Sequence, residues 1–223
     1  MSETSVPNRL DRRKARTRAA LVAAARQLLA RGGTTEVSIQ EITDLADVGF
    51  GSFYNHFPTK AELFEAAVAE ALEEHGALLD EITADLDDPA EVFAASVRLT
   101  VLLYETHPQI ARIMTNAAPA FRNAPTGLAP RALRDLTKAK AAGRFDIDAP
   151  TTALACAGGA ILGVLNALDE GRITDVRHTA DEVALNLLRM FGLPGPEARE
   201  IVARPLPAAT RPTPSPGGAT RSG

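Results

Sequence analysis

The chain has 223 residues and a net charge of −4, which is long enough for one large domain or two small ones with real cores. The acidic total argues against a nucleic-acid partner, but it hides an asymmetry: residues 1–60 carry nine Lys and Arg against six Asp and Glu, and the remainder carries fifteen against twenty-two. A basic first third followed by an acidic body points to a nucleic-acid-facing end. Cys156 is the only cysteine, so neither an intramolecular disulfide nor a Cys-rich zinc site is possible. His56, His75, His107 and His178 form no pair at ligand spacing, so no metal is expected. The basic residues Arg9, Arg12, Arg13 and Lys14 are followed by no apolar signal-like stretch. The near-continuous apolar run Ala153–Leu168 is shorter than the about 18–20 residues of a membrane span. It reads as a buried helix of a soluble, cytoplasmic protein with no membrane partner.

Apolar residues recur at helical spacing and strand signals are nearly absent, which predicts an all-α protein. Residues 1–8 read as disordered. A first helix spans about Arg9–Arg31, with Leu21, Val22, Ala25, Leu28 and Leu29 inward and Gly32-Gly33 ending it. Ser38 and Glu41 form a capping box for a short helix to about Ala46. Asp47-Val48-Gly49 makes a tight turn, and a third short helix covers about Phe50–Asn55 before Phe57-Pro58 breaks it. Thr59 and Glu62 cap a long helix to about Ala84. Asp88-Pro89-Ala90-Glu91 starts a helix to about Thr106, and Pro108 starts another to about Asn116. Residues 117–127 read as a Pro- and Gly-containing mobile loop. Helices then cover about Leu128–Ala142, Pro150–Glu170 and Ala180–Phe191, with a short turn at Pro196–Ala203. From Arg204 a proline-rich tail without acids reads as disordered.

The stretch VSIQEITDLADVGFGSFYNHFPTKAELF, Val37 to Phe64, has the outline of a helix-turn-helix. Ile39, Ile42 and Leu45 are expected to be buried on its first helix, Val48 to plug the turn, and Phe53 to anchor the second helix. That second helix packs two glycines, two phenylalanines, a tyrosine and a histidine into one or two turns, an odd composition for a structural strut. Gly49 and Gly51 permit close approach of another surface. Tyr54 and His56 offer polar tips, and Lys60 sits at a helix start where backbone N–H groups also attract phosphate. Arg16, Thr17 and Arg18 add donors on the first helix.

The segment Val48–Phe64 resembles the DNA-binding domain of the TetR family of bacterial repressors, with Tyr54, Phe57, Lys60 and Leu63 intact at the family's Tyr-x-x-Phe-x-x-Lys-x-x-Leu positions. It departs from the family at Asp47, where Gly is usual in the turn, at Gly49, where Ser usually caps the helix, and at Thr43, where Ala is usual. The resemblance implies that Phe50, Gly51, Ser52 and Asn55 face base edges, that Tyr54, His56 and Lys60 hold phosphates, and that Ser38 caps its helix against the DNA backbone. Phe53 and Phe57 read better as core, and Asn55 is open between readout and surface. An Asn can pair with adenine, whereas Phe50 can only touch a thymine methyl.

These signals divide the chain into a three-helix DNA-binding domain at 9–58, a helical effector-binding and dimerisation domain at 59–203, and tails at 1–8 and 204–223. The Ala-rich helix has small residues four apart, Ala155, Gly159, Gly163 and Ala167. Such a stripe permits close helix approach, and with Val183, Leu187 and Met190 on the last long helix it predicts a four-helix homodimer interface; a wholly intrachain core is the alternative. Leu154, Ile161, Leu165 and Leu168 lie opposite the stripe. In the resembled family the middle region surrounds an effector pocket, for which Phe93, Val97, Tyr104, Met114, Phe121 and Leu136 are candidates, each also readable as plain core. No buried charge is evident, so a mainly apolar effector is expected. Cys156 reads as inert core and His75 as lying on a solvated face. No nucleophile elbow, P-loop, dinucleotide fingerprint or cofactor motif is present, so an enzyme is not expected. The expectation is a cytoplasmic DNA-binding repressor, released from a palindromic operator by a small molecule; a protein–protein adaptor with a non-DNA-binding helix-turn-helix is the rival.

Overall fold

The computed structural model describes residues 8–32, 37–116 and 127–207. Among these residues every regular element is an α-helix, and no strand occurs. The first, α1 (Arg9–Ala30), is started by Asn8, whose side chain accepts from the Asp11 amide while the Asp11 carboxylate accepts from the Asn8 amide. Asn8 is therefore part of the fold, not of the expected N-terminal tail. The helix buries Leu21, Val22, Ala25 and Leu29, as its periodicity predicts.

The Ser38–Glu41 capping box is formed and starts α2 (Ile39–Leu45). Ile42 is fully buried but Leu45 is 39% exposed, and Thr43 is buried instead. The i+6 position has turned about a third of a circle from the first residue, so the buried face of this short helix centres on Ile42-Thr43. The Thr43 hydroxyl answers burial by donating to the Gln40 carbonyl at 2.9 Å. Asp47 takes φ 52° in the turn, the left-handed conformation its short polar side chain tolerates. Asp47→Val is expected to be less stable than Asp47→Gly by about 1–2 kcal/mol, because a β-branched residue is strained there; equal thermal melting of the two variants would show that the turn imposes no such strain.

Only four residues are helical in α3 (Phe50–Phe53), and the amides of His56 and Phe57 close onto the Phe53 carbonyl. The long α4 (Lys60–Ile82) follows, with the Thr59 side chain capping the Glu62 amide. The single helix expected over 89–106 is instead α5 (Pro89–Val101) and α6 (Leu103–Thr106), parted at Leu102. Thr100 and Thr106 donate back to the carbonyls of Ser96 and Leu102, a pattern that bends helices. The next helix, α7 (Pro108–Asn116), lies against α1, and Asn116 Nδ2 donates to the Leu29 carbonyl at 2.8 Å.

Beyond lie α8 (Leu128–Ala141), α9 (Pro150–Asp169), α10 (Val176–Met190) and α11 (Gly195–Ala203). α10 starts about one turn earlier than its apolar pattern predicts, because Asp175 caps it through the His178 amide. α11 is a helix of nine residues rather than one short turn, and buries Ala198, Ile201 and Val202. Arg204 pairs with Glu91, and the half-buried Leu206 packs on the core, so the fold continues past the expected start of the tail.

Two hydrophobic clusters result. The first joins α1, α2 and α3 to α4, α6 and α7, and reaches Leu165 and Leu168 of α9. The second joins α5, α8, α9, α10 and α11 around Phe93, Phe145 and Phe191, whose rings meet pairwise at 5.4–5.5 Å. On the outer side, Arg131 of α8 grips Glu73 with two N–H groups at 2.6 and 2.8 Å and Asp80 with Nε at 2.8 Å, riveting α8 to α4.

Candidate nucleic-acid interface and effector cavity

α3 is too short to hold itself as a helix. It is held by Phe53, fully buried, and by Phe57, 5% exposed. The Phe53 ring meets Tyr54 edge-on at 5.4 Å and tilts against Phe57 at 6.3 Å. Both phenylalanines are core, as expected. With that side anchored, the opposite side turns outward: Phe50 is 47% and Tyr54 55% exposed, and Gly51 and Asn55 are exposed. Ser52 and His56 are half-buried at the rim. A Cβ placed on Gly51 meets nothing within 4 Å, so the protein's own packing gives no reason for glycine there.

The donors around this face divide into two groups. Arg16 is exposed, and the Thr17 hydroxyl donates to the Arg13 carbonyl. Arg18 does not extend outward as expected; it pairs with Glu70 at 2.6 Å and stacks over the Phe57 ring at 5.3 Å. Lys60 Nζ donates to the Val37 carbonyl at 2.7 Å, tying the start of α4 to the chain ahead of α2. Ser38 donates its hydroxyl proton to Glu41 while accepting from the Glu41 amide, so it serves the helix cap first. The His56 pKa is lowered by burial and by the nearby charges of Lys14 and Arg18. Lys14 therefore stands beside the same rim, and its i, i+4 relation to Arg18 was the readable sign of it.

A cavity lies between α4, α5, α8 and α9, with about 50 Å³ of solvent-accessible space, room for a few water-sized groups. Phe93, Val97 and Leu136 line it, as expected. Tyr104 and Met114 do not: the Tyr104 hydroxyl donates to the Leu168 carbonyl, and Met114 is buried in the first cluster. Phe121 lies outside the described residues. The sequence reading missed Leu79, Ser96, Thr100 and Asp135 in the wall. Ser96 and Thr100 share the stripe of Phe93 and Val97 on α5, which was the available signal.

The outer face of α9 is unusual. The helix has a mean hydropathy of 1.6, and only 28% of its central window is buried within the chain, against the expectation of a buried helix. By length and composition alone it could cross a membrane. Cys156 is exposed on it, a correction to its reading as core. Ala155, Gly159 and Gly163 are exposed, whereas Ala167, Val183 and Leu187 are buried in the chain's own core and are unavailable to a partner. Both apolar stripes of α10 face inward because α10 packs against α5, α9 and α11 at once; only Met190, 60% exposed, remains outside.

Residues 21–67 match the family described as bacterial regulatory proteins of the tetR family, and residues 88–204, more than half the chain, match the tetracyclin repressor-like C-terminal domain. The chain belongs to the TetR family. It is thus a transcription regulator with a DNA-binding domain, in a family of regulators rather than enzymes. Among solved TetR-type structures, RolR in complex with resorcinol is 37% identical, with a TM-score of 0.69, over 89% of this chain and 99% of that one. FadR from Bacillus subtilis in complex with stearoyl-CoA, 16% identical with a TM-score of 0.65 over 76% and 97%, shares the fold. The nucleoid occlusion factor SlmA of Aliivibrio fischeri (strain MJ11) is 27% identical over 123 residues, 55% of this chain and 59% of that protein. The chain thus spans under two thirds of the length of the curated relatives it matches.

Proposed function

We propose that this TetR-family regulator is a cytoplasmic homodimeric repressor that leaves a palindromic operator when a small, compact, mainly apolar effector occupies the cavity. The observation that carries the DNA-reading part is the outward face of α3. Phe50, Gly51, Tyr54 and Asn55 are exposed together, and the space over Gly51 is empty within the chain. A glycine costs about 1 kcal/mol in a helix, and a duplex backbone or base edge lying close to α3 gives it a reason. In this reading Phe50, Gly51, Ser52 and Asn55 meet base edges. Tyr54, His56, Arg16 and Thr17 meet phosphates, with Lys14 joining them. Lys60, Arg18 and Ser38 chiefly hold the frame.

Dimerisation is placed on α9. Gly159 and Gly163 have nothing within 4 Å of an added Cβ, and the helix is apolar yet largely uncovered. A second copy approaching along Ala155, Gly159 and Gly163, with Met190 beside them, covers that face. The domain division at about residue 58 and the membership of 59–203 in an effector and dimer domain belong to the same reading. The compact cavity favours a single-ring effector, of the size of the resorcinol found with RolR, over a long acyl chain.

Selection of bound duplexes from a random pool tests the reading, and two-fold symmetric sites are expected. Gly51→Val should weaken binding to the selected site by about 10–100-fold with unchanged helicity, and Asn55→Ala should relax base preference at one position of each half-site. A pool that yields no enriched sequence, or full binding by Gly51→Val, would sink the assignment of α3 as the reading element.

A further inference from the structure

His75 was expected in solvent, but it is 2% exposed on α4. Its Nε2 lies 3.0 Å from Thr100 Oγ1, and Nδ1 is buried with no partner. Thr100 is itself a wall residue of the cavity, and its hydroxyl lies 2.7 Å from the Ser96 carbonyl. A carbonyl can only accept, so the single hydroxyl proton of Thr100 is committed to Ser96. The His75 contact must then be an N–H donated by Nε2, which leaves only a lone pair on Nδ1 unpartnered. The opposite tautomer would strand a buried N–H, the rarer and costlier defect.

The consequence is that Thr100 oxygen accepts from His75 and has no proton to offer the cavity. Asp135 also lines the cavity, and its carboxylate accepts from Arg134 at 2.8 and 3.1 Å. Glu73, Asp80 and Asp135 stand against Arg131 and Arg134 in one linked cluster, so that cluster holds no surplus positive charge for an anion. The Ser96 hydroxyl, also in the wall, can turn either way.

Resting on the effector reading of this cavity, we propose that Thr100, oriented by His75, makes the site select neutral ring compounds that donate a hydrogen bond, and reject both donor-free rings of the same shape and carboxylates. Thr100 is the contact residue and His75 a positioning residue. Loss of the His75 N–H lets the Thr100 hydroxyl rotate, so selection for donors relaxes although the cavity keeps its shape.

The test uses the full chain and three single-ring probes, resorcinol, m-xylene and benzoate, with affinities from titration calorimetry at pH 7. m-Xylene places methyl groups where resorcinol has hydroxyls. Wild type is expected to bind resorcinol over m-xylene by about tenfold or more and benzoate more weakly still. Thr100→Val should collapse the resorcinol preference without weakening m-xylene. His75→Leu should reduce the preference and His75→Gln, which keeps an N–H donor, should restore part of it. Equal binding of m-xylene or benzoate by wild type overturns the proposed selection and leaves the cavity as a ring site. An unchanged preference in Thr100→Val removes Thr100 from the selection, and an unchanged one in His75→Leu removes its positioning role. Binding of none of the three overturns this proposal together with the single-ring effector reading.

Discussion

Phe53→Ala is expected to destabilise the protein by about 3–5 kcal/mol, as for large aromatic side chains removed from packed cores. The ring is fully buried among Leu21, Ile42, Phe57 and Leu63, and its edge-to-face contact with Tyr54 disappears with it. The four residues of α3 cannot nucleate a helix unaided, and Gly49 provides no side-chain cap. The lost packing therefore falls on the element that presents Phe50, Gly51 and Asn55. Measured against a typical total stability of about 5–15 kcal/mol, the change should appear in urea unfolding and abolish operator binding. Phe50→Ala, by contrast, removes a half-exposed ring and should leave unfolding within about 0.5 kcal/mol of wild type while still weakening DNA binding. A loss below about 1 kcal/mol in Phe53→Ala would mean that α3 is held by something other than this anchor.

That contrast between Phe50 and Phe53 was readable in the sequence because it depends on one turn of chain and its immediate neighbours. The same holds for the Ser38–Glu41 box, the Thr59 cap, the Asp88-Pro89 start and the left-handed Asp47, each formed by residues within a few positions of one another. Burial set by distant partners was harder. Cys156 lies on a helix apolar all round, so composition could not say which side the chain itself would cover. Val183 and Leu187 were assigned to a partner subunit because α10 has two apolar stripes; α5 and α11 occupy both. His75 was legible and overlooked: Leu72, His75, Gly76 and Leu79 stand at i, i+3, i+4 and i+7, all buried, and the preceding Glu73-Glu74 distracted from that stripe. Ser96 and Thr100 were passed over for a related reason, since polar residues on an apolar stripe read as interruptions until a cavity gives them a role.

The burial of His75 sets a pH dependence with a definite sign. Desolvation, helped by the charge of nearby His107, holds its pKa down at about 4, against 6.5 for an ordinary histidine. In the unfolded chain the imidazole takes a proton as pH falls through about 6.5, whereas in the folded chain it stays neutral until about 4, so the unfolded state binds more protons throughout that window. Stability from this group is therefore fully present above about pH 7 and is lost progressively as pH drops toward 4, by about 3 kcal/mol in all. Glu41, Glu73, Asp80 and Asp88 also have lowered pKa values. Their unfolded pKa values lie at 4.5 or below, so most of their losses fall at lower pH. Urea unfolding at intervals from pH 7.5 to 4.5 should show stability falling with acid in wild type and a shallower fall in His75→Leu, which has no proton to gain at this position. Parallel curves for the two proteins would mean that the folded imidazole protonates as freely as the unfolded one, and then the fixed N–H on Thr100 could not persist below neutrality. A steeper wild-type curve places the neutral tautomer across the whole range in which the protein remains folded, which is the condition under which Thr100 can act as an acceptor alone.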